Sequence, residues 1–314
     1  MPSPLVSVSN VTIKYGGFTA VDGCSFDVKG GEIFGLLGPN GSGKSSIIEV
    51  IAGLNRNYSG TVLVEGKDLR GARDWNSRFG LVPQEYSFYH DFTVADNLRI
   101  FGRLQGYSGQ EARRQAEEAL ARFNLSPYKN KIAGNLSGGY KRLLNIAIAS
   151  LHNPQLLILD EPTVGIDVNF RKSVWDVLYA LRKQGVTVMI TTHYMEEAQL
   201  LCDRLALISN GQLRIVDTPA KIIEKYGGKP YILLRVDKPD KLESALRQLP
   251  TVECRRVGGD SFEVYCAPGA LTVLITKLDN FLESNRINII EEHVYEPTLN
   301  EVFLNYFQQT LELK

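Results

Sequence analysis

The sequence predicts an α/β domain carrying a helical insert, followed by a smaller α+β domain with a ferredoxin-like order of elements. Three observations carry that reading. Up to about residue 228, short apolar strand-like runs alternate with helix-like stretches, as in a parallel sheet covered on both faces. Between 86 and 150 the alternation stops and helical patterns alone remain. Beyond 229 it restarts as strand, helix, two strands, helix, strand and a last helix, the split βαβ order.

Each element has its own signal. The strand-like runs of the first domain fall at 32–37, 61–64, 79–82, 156–159, 187–191 and 204–208. Several are near-continuous apolar runs, expected of parallel strands buried on both sides. In the insert, 111–123 and 139–151 read as helices. Tyr226, Gly227, Gly228, Lys229 and Pro230 form a turn-rich linker, dividing the chain into 1–228 and 229–314. After it, 231–236 reads as a strand, and Leu242, Ala245, Leu246 and Leu249 share one helical face. Strands at 251–257 and 261–266 flank Gly258, Gly259 and Asp260, a hairpin signal. Leu271, Leu274, Ile275, Leu278 and Leu282 then form one stripe, and 287–294 reads as a strand. The last helix, 298–313, opens with Thr298 three residues before Glu301, the capping-box spacing. Its stripe of Leu299, Val302, Phe303, Tyr306 and Phe307 must be buried, on its own sheet or across a dimer.

Composition removes several classes. The chain has 314 residues, 35 Lys plus Arg against 35 Asp plus Glu, and 44% hydrophobic content. Zero net charge argues against a nucleic-acid partner for the domain as a whole. No apolar run approaches the roughly 18 residues that span a bilayer, and the first residues lack a secretory pattern. The four cysteines, Cys24, Cys202, Cys254 and Cys266, are scattered and read as core thiols. The expectation is a soluble, cytoplasmic protein.

Chemistry enters at residues 38–45. Gly38, Pro39, Asn40, Gly41, Ser42, Gly43, Lys44 and Ser45 fit G-x-x-x-x-G-K-[ST] between a strand and a helix. Glycines let backbone N–H groups turn toward phosphate oxygens, and the helix N-terminus favours their charge. Lys44 then reaches the β/γ-phosphates and Ser45, with Ser46 beside it, faces Mg²⁺. The strand 156–159 ends in two adjacent carboxylates. Alone, either could cap a helix. Paired with the phosphate loop, Asp160 reads as the Mg²⁺ carboxylate and Glu161 as the general base for the attacking water. The core is then a P-loop NTPase (RecA-like) domain.

Leu136, Ser137, Gly138, Gly139 and Tyr140 resemble the LSGGQ signature of ATP-binding-cassette (ABC) ATPases. Gln84 resembles that family's Q-loop glutamine, residues 164–167 its D-loop, and His193 its switch histidine. Tyr15 falls where the family stacks an aromatic ring on adenine. The resemblance spans residues 6 to about 228. It implies that ATP and Mg²⁺ are the cofactors, with Gln84 at the metal and His193 on the γ-phosphate. It also implies that Ser137, Gly138 and Gly139 close on the nucleotide of a second cassette, a homodimer on this reading. Tyr140 departs from the consensus Gln. Residues 92–98 resemble the segment where the insert receives a helix of the membrane subunit, and 296–303 resembles the end of ABC-2 type exporter ATPases for drugs or lipids. The resemblance therefore implies an export ATPase on the cytoplasmic face of the membrane, working with a separate integral membrane permease. The alternative is a non-transport ABC ATPase acting on ribosomes or DNA. Those types carry paired cassettes or a long coiled coil, features not seen here.

Overall fold

The computed structural model describes residues 3–72, 74–246, 253–267 and 269–304. Two compact units divide between Pro219 and Ala220, ahead of the turn-rich 226–230 stretch.

The first unit opens with β1 (Val6–Tyr15), β2 (Phe18–Val28), β3 (Ile33–Leu37), α1 (Lys44–Ile51), β4 (Tyr58–Val64), β5 (Lys67–Asp68) and β6 (Phe79–Val82). The insert follows as α2 (Val94–Leu104), α3 (Gly109–Arg122) and α4 (Gly138–Ser150). Then come β7 (Leu156–Asp160), α5 (Val168–Lys183), β8 (Thr187–Thr192), α6 (Met195–Leu201), β9 (Arg204–Ser209) and β10 (Gln212–Asp217).

Two sheets result. One has the order β10-β9-β3-β8-β7-β6, parallel from β9 to β6 with β10 antiparallel at the edge. Its inner strands are buried on both faces: every residue of β3 and β8 is buried, as the continuous apolar runs require. The other sheet is antiparallel, β2-β1-β4-β5. The run 61–64 therefore does not join the parallel core. Tyr58–Val64 has a mostly half-buried pattern, which suits a sheet with one wet face. β1, β2 and β10 lie outside the runs read from the sequence. In β1 the alternation breaks at Asn10, whose φ of +50° accompanies a register shift against β2, so a period of two does not survive along it. The two sheets and α1 share one core, including Val8, Phe26, Phe34, Ile47, Val62 and Ile158.

The insert is helical as read, and a single isolated bridge joins Thr93 to Ile132 among the described residues. Thr93 caps α2 and Ser108 caps α3 through their hydroxyls, each satisfying an N–H that the first helical turn leaves open.

The second unit contains α7 (Pro219–Tyr226), β11 (Tyr231–Val236), α8 (Pro239–Leu246), β12 (Glu253–Arg256), β13 (Ser261–Tyr265), α9 (Leu271–Ser284) and β14 (Ile289–Tyr295). Its sheet is antiparallel with order β12-β13-β11-β14, the ferredoxin-like order expected. Ile232, Leu234, Phe262, Val264, Leu274 and Leu278 form a core of its own. Thr298 and Glu301 make the capping contact, with the Thr298 N–H donating to Glu301 Oε2 at 2.7 Å. Leu299 and Val302 are buried. Tyr306, Phe307 and Leu249 lie outside the described residues.

Candidate nucleotide site

Parallel strands deliver their C-terminal ends to one edge of the sheet. β3 ends at Leu37, β6 at Val82, β7 at Asp160 and β8 at Thr192, so the loops after them converge there. This is the crevice where open α/β sheets bind ligands. The loop 38–43 runs from β3 into α1, which begins at Lys44.

Two glycines are dictated by space. A Cβ on Gly38 would lie 2.2 Å from the Ile208 carbonyl oxygen, and one on Gly43, at φ +100°, 2.5 Å from that of Ala20. The Ser42 hydroxyl is buried in this loop with no protein partner, an orphan donor that suits a phosphate oxygen. Beside it lies a cavity of about 380 Å³ lined by Tyr15, Phe18, Asn40, Gly41, Gly43, Lys44, Ser45, Ser46, Gln84 and Glu161 among others. Residues distant in sequence and read separately for phosphate, metal and base thus share one pocket.

Lys44 is 5% exposed. Its ammonium donates to the carbonyls of Gly38 at 2.9 Å and Pro39 at 3.0 Å and lies 3.9 Å from Glu161 Oε1. Burial pushes its pKa down from the usual lysine value, while Glu161 and Asp160 hold it up. His193 Nδ1 stands 3.1 Å from the same Glu161 oxygen. Lysine and histidine therefore meet on the one glutamate carboxylate.

That carboxylate is held in an unusual backbone. Glu161 has φ +48°, a region non-glycine residues rarely occupy. Its N–H donates to Thr191 Oγ1 at 3.0 Å, and the Thr191 hydroxyl donates in turn to Asp160 Oδ1. Nothing in the sequence reading singled out Thr191; the parallel pairing of Asp160 with Thr191 brings it in.

Two aromatics rim the mouth. The Tyr15 hydroxyl is fixed by Glu49 Oε2 at 3.1 Å and by the Asn55 amide at 3.2 Å, with Ser46 Oγ at 3.4 Å. Phe18, its partner in the β1–β2 pairing, is 65% exposed. It was missed in the sequence, although an aromatic residue directly after a Gly-Gly pair is a usable signal. The Ser45 hydroxyl and Gln84 amide lining the cavity, with the carboxylate of Asp160 next to Glu161 in the chain, are hard oxygen ligands, a set that suits Mg²⁺ completed by phosphates and water.

A linearmycin resistance ATP-binding protein of Bacillus subtilis is 36% identical to the chain over 312 residues, covering 98% of this chain and 99% of that protein. The chain belongs to the ABC transporter ATP-binding proteins. The ABC transporter family model matches residues 21–164. A Nod factor export ATP-binding protein of Rhizobium sp. is 37% identical, over 85% of this chain and 88% of its own length. Among solved structures, the cbiO1 part of a Clostridium perfringens ABC transporter complex superposes with a TM-score of 0.66 at 26% identity, covering 71% of this chain and 91% of that one. Members of the family hydrolyse ATP to power transport, and this cassette binds nucleotide and has that activity. Among the described residues, no helix is long and apolar enough to cross a membrane.

The cassette's signature segment does not line the nucleotide cavity. Ser137 sits at the N-cap of α4 and makes no side-chain capping bond. A Cβ on Gly139 would meet the Phe170 ring at 2.1 Å, so glycine is required there. Tyr140, in place of the consensus Gln, packs edge-on against Phe170 (centroids 4.9 Å apart) and against Tyr128 at 4.2 Å. It is part of an aromatic cluster under the signature loop. Asp167 caps α5, accepting from the Phe170 N–H at 2.9 Å.

Proposed function

We propose that two copies of this cassette pack head to tail, each closing its signature residues Ser137, Gly138 and Gly139 on ATP held by the other's phosphate loop. The observation that carries the reading is that Lys44 and Glu161 line one cavity and that His193 reaches the same Glu161 oxygen. Lys44 neutralises the phosphoryl charge. Glu161 takes the proton of the attacking water, and His193 holds the γ-phosphate. Ser45 and Asp160, with Gln84, hold Mg²⁺, which stabilises the developing charge. α4 presents its N-terminal N–H groups beside the free Ser137 hydroxyl, donors suited to the partner's γ-phosphate. Closure is then a two-state change biased by ATP, which binds the closed pair better than the open one.

The cargo leaves through a separate integral membrane permease, with the cassette on the cytoplasmic face. A groove of about 510 Å³ between β6 and the insert, lined by Phe79, Leu81, Phe101, Leu104, Asn145 and His152 among others, suits an amphipathic segment of that permease. The relatives' names, linearmycin resistance and Nod factor export, favour export as the direction. The test is the Glu161→Gln variant, which keeps shape and removes the base. With ATP its light-scattering mass should double, and ADP should leave it a single chain. A single-chain mass at saturating ATP overturns the homodimer.

A further inference from the structure

We infer that Thr191 is a positioning residue for hydrolysis, one hydroxyl that sets both the metal carboxylate Asp160 and the backbone of the base Glu161. The inference rests on the ATPase reading of this site. Thr191 lies in β8, beside Asp160 of β7 in the parallel register, and neighbours in register point to the same face of a sheet. It is fully buried. Its hydroxyl donates to Asp160 Oδ1 and accepts the Glu161 N–H at 3.0 Å. A hydroxyl has one hydrogen to give and lone pairs to receive, so both bonds coexist on one oxygen.

Each bond has a consequence for the reaction. The bond to Asp160 engages Oδ1 and fixes the orientation of the carboxylate, which would set how Asp160 holds Mg²⁺. The bond from Glu161 anchors the residue at φ +48°, where the backbone is strained unless surrounding contacts hold it. From that backbone the side chain reaches the His193 ring at 3.1 Å. Without the anchor, Glu161 relaxes toward an ordinary conformation and the base leaves the line of attack. A misplacement of about 1 Å is enough to cost 10²-fold in a positioned reaction. Serine keeps both bonds. Valine and alanine keep neither.

The experiment compares Thr191→Val, Thr191→Ala and Thr191→Ser in the full chain, each alone and combined with Glu161→Gln. The readouts are kcat, KM for ATP, the Mg²⁺ concentration for half-maximal rate, and binding of a fluorescent ATP analogue. Val and Ala should lower kcat by tenfold or more, raise the Mg²⁺ requirement severalfold and leave analogue affinity within threefold. Ser should stay within threefold of the parent in kcat. In the Glu161→Gln background at saturating Mg²⁺, where the Asp160 arm is compensated, Val should slow the residual rate by less than threefold, because the base it positions is gone. A Val variant at the parent kcat overturns the inference. So does a Ser variant as slow as Val, or a full tenfold loss added on top of Glu161→Gln. If Val crowds the site and does not fold, the same comparisons are read on Ala. Loss of activity with Lys44→Ala tests the ATPase reading separately, so the two failures are distinguishable.

Discussion

Arg142 and Gln84 are joined through the backbone: the guanidinium on the signature helix α4 donates to the Gln84 carbonyl at 2.9 Å and to that of Pro83 at 2.8 Å. Asn145, one turn further, accepts from the Ser87 N–H at 3.1 Å and donates to the Glu85 carbonyl at 3.2 Å. The Tyr86 hydroxyl closes the clip on the Gly138 carbonyl at 3.2 Å. The Q-loop is thus a fixture of the signature helix.

Arg142→Met should separate that clip from simple packing, since the methylenes stay and the guanidinium goes. Two carbonyls lose their donor beside a side chain that is 2% exposed, at about 1–3 kcal/mol for each buried group left unmade. Differential scanning calorimetry should show Tm lower by several degrees, and ATPase assays a reduced kcat. An unchanged Tm would mean that water replaces the guanidinium without loss.

Lys44→Ala removes the only ammonium lining the nucleotide cavity among the described residues. The rate of Mg²⁺-dependent ATP hydrolysis should fall by at least about 10²-fold, about 2.7 kcal/mol of barrier at 1.36 kcal/mol per decade. Activity at the parent rate would assign the hydrolysis to a contaminant or the site elsewhere.

How far these residues were readable beforehand depends on what the chain encodes locally. Lys44, Asp160 and Glu161 could be singled out because a phosphate loop and a buried strand ending in carboxylates are contiguous patterns, and Gln84 only by its resemblance to the family's Q-loop glutamine. Thr191 and Arg142 could not. Their roles come from the Asp160–Thr191 strand pairing and from a side chain reaching 58 residues back to the Gln84 carbonyl, neither of which leaves a local period. The same holds for the antiparallel sheet. β4 read as core because 61–64 is apolar, but pairing with β1 decided which sheet it joined.

His152 gives the fold a pH dependence. Its Nε2 sits 3.0 Å from the Phe79 carbonyl oxygen, which can only accept, so Nε2 carries the hydrogen. Nδ1 is buried with no partner. Burial lowers the imidazole pKa below its usual 6.5, and the Phe79 bond raises it less. The folded chain therefore binds fewer protons than the unfolded one as pH falls past 6.5, and stability is lost in that direction. Urea midpoints at pH 5.5 and 7.5 should differ more for the parent than for His152→Gln. Equal differences would locate the pH dependence elsewhere.

Tyr15 and Phe18 line the mouth of the site, and on the proposed function they would contact the nucleotide in ground state and transition state alike. Removing either ring should raise KM for ATP severalfold with kcat nearly unchanged, the signature of lost uniform binding. Steady-state assays of Tyr15→Ala and Phe18→Ala check it. A fall in kcat at constant KM would instead place the rings in catalysis.

The second unit supplies a prediction about where the chain can be cut. The sequence places the linker at 226–230, yet α7 belongs with the residues after it. Ile223 and Ala220 line an apolar hollow with Pro230, Leu271 and Pro297, and a Cβ on Gly227 would touch Pro297 Cβ at 2.9 Å. Ile222 is 1% exposed. A fragment 1–228 carries α7 without that cover, exposing side chains whose burial contributes about 1.5–3 kcal/mol each. A fragment 1–219 does not. Size-exclusion chromatography should find 1–219 monodisperse and 1–228 prone to association. If 1–219 keeps the ATPase rate and the ATP-driven dimer of its Glu161→Gln form, the ferredoxin-like unit serves stability or permease contact. Loss of the dimer alone, with 1–219 folded by circular dichroism, would make that unit part of the dimer interface.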